Sequence, residues 1–409
     1  MAEPRILAII QAGGAGGRMD VLTRERAKPA LPFAGVYQLV DFPLSNLRHS
    51  GISDVWLSVQ YLGSTLEEEV SNGRPWDLDR TIGGFRLLMP QEGTGATDEE
   101  GFAKGNADEL YRIRDQIVAA DPELVLVMSA DHVYRFDYLD AVHTHREERA
   151  ACTVVTTEVP IDEAGDHATV EVDEQGVVVG FEYKPENPST STVAAEIFVY
   201  TPAVLIETVE QLHRELSAES GPHDSGLGDY GNHLLPRLVE TARVVAHRLP
   251  GYWRDLGEPH KYLRAHLDVL TDDLGIFGDA ERPVLTRQPQ RVPARVVESG
   301  RVEDSLLSPG SRVAGTVVRS VIGPGVVVER GAFVRESVVF TGTVIASDAR
   351  VERAVVDRDC VIGAGAAVGE YSDEPPDTAE SVTLIGRGCR VPQNATIEAG
   401  GRLEPGTTS

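Results

Sequence analysis

The chain has 409 residues and a formal net charge of −26. That length suggests two or three domains and a large core, and that charge argues against nucleic acid or an anionic membrane as partner. Cys152, Cys360 and Cys389 are too few and too scattered for a disulfide framework or a zinc site. The opening MAEPRILAII lacks the long apolar core and small-residue cleavage site of a secretory leader. No apolar stretch approaches the ~18 residues that span a bilayer. A cytoplasmic protein is expected.

In chain order, residues 6–11 read as a buried strand whose apolar run stops at Gly13 and Gly14. Glycines there let the backbone turn and bring its N–H groups against phosphate oxygens. Arg18, Arg24, Arg26 and Lys28 follow closely. The segment looks like a cradle for a nucleoside triphosphate, although it matches neither G-x-G-x-x-G nor the P-loop pattern. The bland alternative is a strand-to-helix turn with solvated cations. Further strands are expected at 54–59, 124–128, 152–157, 177–182 and 195–200, with helices at 107–119 and 202–216. This alternation predicts an α/β domain with a mostly parallel sheet. Ligands in such sheets sit at the carboxyl ends of strands, where Gly13, Gln60 and Asp131 fall.

Residues 273–300 carry Pro283, Pro289 and Pro293 and lose periodicity, so they are expected to connect a domain at 1–272 to another at 301–409. In the latter, Ile322, Val328 and Val334 are six apart. Val339, Ile345 and Val351, then Val356, Ile362 and Val368, repeat that triplet at intervals of 17. After an acidic insertion at 373–380, the register resumes at Ile385, Val391, Ile397 and Leu403. Aliphatics in hexad register predict a left-handed parallel β-helix with three short faces per coil, irregular around 307–318. Its flat faces and open ends suit self-association or contact with the first domain, so a homo-oligomer, dimer or tetramer, is expected.

Asp131, in VLVMSADHVY, falls just past a buried strand, where a carboxylate can hold Mg²⁺ between phosphates. Asp255, in YWRDLGEP, is the second candidate ligand, and Mg²⁺ needs only one or two carboxylates besides phosphate oxygens. The alternatives are a helix cap for Asp131 and an ion pair with Arg254 for Asp255. His132 reads as structural, since a phosphate oxygen attacks without a general base.

Several segments carry a resemblance: AGGAGGRM, LTRERAKPAL, YQLVDFPLSNLRHSGI, VQY, KGNADELY, SADHVYRFDY, YKPENP and YWRDLGEPHKYLRAHL. Over nearly its whole length the chain resembles the ADP-glucose pyrophosphorylase (glucose-1-phosphate adenylyltransferase) family of sugar-phosphate nucleotidyltransferases. The resemblance implies a Rossmann-like catalytic domain before the β-helix and a single in-line displacement. A sugar 1-phosphate oxygen attacks the α-phosphorus of a nucleoside triphosphate, ATP or GTP, and pyrophosphate leaves. By the resemblance, Gly13, Gly14 and Arg18 hold the triphosphate, and Lys28 helps the leaving pyrophosphate. Gln60, Gln91, Gly105 and Asn106 line base and ribose, Asp131 and Asp255 bind Mg²⁺, and Lys184 grips the acceptor phosphate.

Departures from the family concentrate on the acceptor side. The first loop changes mildly, at Ala15, Gly17 and Met19, and keeps Arg18. The family's Glu-Lys-Pro is Tyr183-Lys184-Pro185, its Phe-Gly is His167-Ala168, and its Ser-Met-Gly is Ala194-Ala195-Glu196. Each sugar hydroxyl left unpaired costs ~1–3 kcal/mol, so several cost glucose roughly 10³-fold in preference. Tyr183 and Ala194 are therefore expected to suit a less hydroxylated or flatter ring, with Glu196 returning a carboxylate from another direction or simply packing.

Three readings follow. The first is transfer to a sugar-like 1-phosphate other than glucose 1-phosphate, such as an unsaturated cyclitol phosphate, as in the valienol-1-phosphate guanylyltransferase type. The second is ADP-glucose synthesis with a drifted pocket. The third, a catalytically silent regulatory subunit, has no use for Arg18, Lys28, Asp131, Lys184 and Asp255 together. The resemblance offers Arg24 and Arg26 to an effector site between the two domains, against the commoner reading that they are solvated, and no effector is assigned.

Overall fold

Strand β1, Ile6–Ala12, lies inside a nine-stranded sheet with Leu7 to Ile10 fully buried. A strand covered on both faces needs an unbroken apolar run rather than alternation. The computed structural model describes residues 4–14, 16–89, 102–217, 225–271, 274–297 and 299–408. β2 (Asp54–Val59), β3 (Gly84–Leu88) and β4 (Leu124–Ser129) run parallel to β1, with β2 and β4 as its direct neighbours. β5 (Cys152–Glu158), β6 (Ala168–Val172), β7 (Val178–Tyr183), β8 (Thr192–Tyr200) and β9 (Val244–Arg248) complete the sheet. The order is β7-β6-β8-β4-β1-β2-β3, with β5 beside β8 and β9 beside β5. β8 runs antiparallel to β4, with Ile197 opposite Met128.

The expected strands are present, as is the helix Pro202–Leu216. The helix expected over 107–119 is two, Asn106–Arg112 and Arg114–Ala120. Ile113 breaks it at φ −95°, ψ 3°, outside helical geometry.

The C-terminal region forms three six-stranded parallel sheets, consistent with a left-handed β-helix, whose first strand is Arg295–Val296. The hexad aliphatics from Ile322 to Val391 fill its interior. Val317 pairs with Val334, 17 positions on, but Val302 pairs with Val317, only 15 on, so the first coil is the short one. Val356 pairs with Ile385, so the acidic insertion makes a detour without breaking register.

One face of the β-helix docks on the first domain. Val321, Val338, Val355 and Leu384 share a buried cluster with Phe33, Phe42, Tyr262 and Leu263. Burial of each such aliphatic is worth roughly 1.5–3 kcal/mol. That outweighs rim ion pairs at ~0–1 kcal/mol each, such as Arg24 with Glu404 at 3.4 Å. Arg26 departs from expectation. It is buried, with Nη2 2.5 Å from Asp357 Oδ1 of the β-helix. The four cations near the glycine turn therefore divide: Arg18 and Lys28 face the strand ends, while Arg24 and Arg26 face the β-helix. Among the described residues, no helix is long and apolar enough to cross a membrane.

Candidate active site

β1, β2 and β4 end level, with Gln11 opposite both Ser58 and Ser129. A cavity of about 480 Å³ opens past these ends. Gly13 and Gly14 leave β1 along its wall. A Cβ on Gly13 would lie 2.6 Å from Gln60 Nε2, so any larger residue there would displace the Gln60 amide. A Cβ on Gly105, at φ +145°, would lie 2.3 Å from the Gly228 carbonyl. Gln60 is fixed by accepting a hydrogen bond from Ala103 N at 2.8 Å.

Asp131 and Asp255 meet because the short strands His132–Tyr134 and Trp253–Asp255 pair antiparallel, with Asp255 opposite His132. Lys28 Nζ lies 2.6 Å from Asp131 Oδ2 and 3.6 Å from Asp255 Oδ1. Ser129 Oγ donates to Asp131 Oδ1 at 2.5 Å. The two carboxylates keep 21% and 17% exposure, so each still faces the cavity. Burial alone would raise both pKa values, but Lys28 and His132 beside them outweigh it and hold both below the usual carboxylate range. Neither bland alternative holds. Arg254 turns to Glu163 at 3.0 Å, and Asp131 joins two strands rather than capping a helix. A Cβ on Gly257 would lie 3.1 Å from Arg18 Nη2 and 3.3 Å from Asp255 Oδ2, which puts the guanidinium beside this pair. His132 is buried and donates from Nδ1 to the Ala195 carbonyl at 3.3 Å.

Tyr183, Lys184 and Glu196 line the cavity too, together with Asp229 and Tyr230. Tyr183 Oη donates to Asp229 Oδ2, and Tyr230 Oη to Glu196 Oε1, each at 2.9 Å. Lys184 at φ +50° and Glu196 at φ +56° both hold left-handed backbone, which costs a side-chain-bearing residue ~1–2 kcal/mol. Burial pushes the Glu196 carboxyl up despite nearby His132. His167 is pushed down to about 4 by burial and packs edge-on against Trp253, so at neutral pH it is an uncharged flat ring.

One expected site residue is not in this cavity. Ala194 is a correction: it is buried in strand pairing with Thr156 and packs with Val170 and Phe198, on the core side of the sheet. Gln91 lies outside the described residues. Glu109, Asp229 and Tyr230 were missed by sequence reasoning. Glu109 is buried under Gly13 and Gln60, and burial pushes its pKa up to about 7 although Ser58, Gln60 and Gln11 beside it pull the other way. The available signal for the other two was the glycine-flanked run from Gly228 to Gly231.

A glycine turn at a strand end, an aspartate pair held by one lysine and a second lysine across the cavity together define an enzyme that handles phosphates. The sequence profile of the family described as Nucleotidyl transferase matches residues 7–272. That described as GlmU-like, C-terminal hexapeptide, matches 290–383. The glucose-1-phosphate adenylyltransferase of Thermomicrobium roseum is 38% identical over 96% of this chain and 91% of its own length. Those of Bacillus cereus strain Q1 and Bacillus anthracis are 34% and 33% identical over 94% of this chain and 99% of theirs. The chain belongs to the glucose-1-phosphate adenylyltransferase family of sugar-1-phosphate nucleotidyltransferases.

Proposed function

We propose that this enzyme transfers a nucleotidyl group from ATP or GTP to a sugar-like 1-phosphate other than glucose 1-phosphate. An oxygen of the acceptor phosphate forms a bond to the α-phosphorus, the bond from that phosphorus to the bridging oxygen breaks, and pyrophosphate departs. No proton need be removed, because the attacking oxygen is already anionic. Catalysis is then positioning and charge stabilisation.

In this reading Gly13, Gly14 and Arg18 hold the triphosphate, Gln60, Gly105 and Asn106 the base and ribose, and Lys184 the acceptor phosphate. Lys28 neutralises charge on the leaving pyrophosphate. Asp131 and Asp255 fit Mg²⁺, since two carboxylates flank Lys28 and both keep exposure to the cavity. When bound, Mg²⁺ would supply further charge neutralisation among the phosphates.

The observation that carries the acceptor reading is the Tyr183–Asp229 and Glu196–Tyr230 pairing in the wall beside Lys184. It puts aromatic surface and one carboxylate where the family has Glu-Lys-Pro and Ser-Met-Gly. The second reading, ATP with glucose 1-phosphate, is favoured by the names of the relatives at 33–38% identity. The intact lysine and aspartate cluster speaks against a silent subunit. Labelled nucleotide tests the reaction class. Label at the α-phosphorus is expected in the sugar-linked product, and label at the γ-phosphorus in pyrophosphate. γ-Label on the acceptor would overturn nucleotidyl transfer.

A further inference from the structure

We propose that Glu196 is the specificity-determining residue for the acceptor, and that β8 is kept in a strained bulge in order to present it. The inference rests on the nucleotidyltransferase reading and adds the chemistry that the acceptor ring must bring.

β8 is irregular at one place only along its pairing with β5. Ala194 faces Thr156 and Phe198 faces Val154, so four steps on β8 match two on β5. The surplus residues form a bulge, a device that re-aims a side chain. Glu196 sits inside it at φ +56°, a conformation that glycine adopts freely and glutamate does not. Packing does not explain the choice, because the side chain is one-third exposed and lines the cavity.

The carboxylate is nevertheless fixed. Oε1 accepts from Tyr230 Oη at 2.9 Å, and Oε2 lies 3.8 Å from His132 Nε2. Tyr230 is itself buried against Phe198, with ring centroids 4.8 Å apart. The neighbouring phenol, Tyr183, spends its proton on Asp229. Both phenol hydrogens in this wall are therefore committed to carboxylates. What Glu196, Tyr183 and Tyr230 offer a ligand is oxygen lone pairs. An acceptor ring seated here must supply hydrogen-bond donors toward β8, either hydroxyl or ammonium, while its phosphate reaches Lys184. A ring bare of donors on that side would leave Glu196 Oε2 buried and unpaired.

The test compares wild type with Glu196→Gly and Glu196→Gln in the full chain. Acceptor affinity is measured calorimetrically in the presence of a non-hydrolysable nucleoside triphosphate, and thermal unfolding alongside. Glu196→Gly relieves the backbone, so its Tm is expected to be unchanged or higher. Its affinity for the best-binding 1-phosphate is expected to fall at least tenfold, with nucleotide affinity within twofold of wild type. Glu196→Gln separates the donors: a hydroxyl ring loses a few-fold and an aminated ring about a hundredfold, because only the latter needs the charge. Unchanged acceptor affinity in the glycine variant would overturn the role of Glu196 and leave nucleotidyl transfer standing. Failure of wild type to bind any 1-phosphate would overturn both.

Discussion

Asp131→Asn is expected to lower kcat about 10³-fold, equivalent to ~4 kcal/mol of transition-state stabilisation, and to leave the fold intact. Asparagine keeps the shape and can still accept from Ser129 Oγ, which now bonds Asp131 Oδ1 at 2.5 Å. Lys28 keeps Asp255, 3.6 Å away, as its counter-charge. What disappears is one of the two carboxylates of the proposed Mg²⁺ site, and with it half of that site's anionic charge. Nucleotide KM should move much less than kcat, because the glycine turn and Arg18 contact the triphosphate independently in this reading. Steady-state kinetics with a parallel urea melt checks this. Wild-type kcat in a folded Asp131→Asn protein would remove Asp131 from the chemistry.

The largest stability effect is expected at Arg26. Its guanidinium and the Asp357 carboxylate are 2.5 Å apart, with side chains only 6% and 2% exposed. Arg26 also lies 5.7 Å from the Phe340 ring centroid. Burial raises the Asp357 carboxyl even with Arg26 beside it, so the pair already bears a desolvation cost. Removing Arg26 leaves Asp357 buried without its guanidinium, holding only to neighbouring Arg358, whose backbone N–H donates to it at 2.6 Å. Arg26→Ala should therefore destabilise by about 3–5 kcal/mol. Replacing both partners with apolar residues, Arg26→Met with Asp357→Leu, should recover most of that loss, because no charge is then stranded. Urea unfolding of Arg26→Met, Asp357→Leu and the double closes the cycle. Additive losses would mean that the two residues do not act as a pair.

Much of the scaffold was legible because it obeys local rules. β1 is a continuous apolar run ended by glycines, and the hexad aliphatics needed no long-range information to be assigned to an interior. What escaped depends on distant pairings. Asp255 was legible as a candidate partner of Asp131, but the three-residue ladder with His132–Tyr134 that brings the two together was not. Arg26 is two residues from Arg24 and equally charged, yet one is buried against Asp357 and the other is 57% exposed. Only the docking face of the β-helix separates them. Glu196 was legible as an acceptor-side carboxylate, but its left-handed backbone follows from a mismatch with β5 that no single-strand pattern reveals. Ala194, two residues earlier, was expected in the same pocket and faces the core instead.

The division between a retained donor half and a rewritten acceptor half has one direct test. Pyrophosphate release is measured with ATP and GTP, each crossed with glucose 1-phosphate and a panel of other sugar and cyclitol 1-phosphates. Turnover is predicted, with at least one acceptor exceeding glucose 1-phosphate by tenfold or more in kcat/KM. Fastest turnover with ATP and glucose 1-phosphate would contradict it.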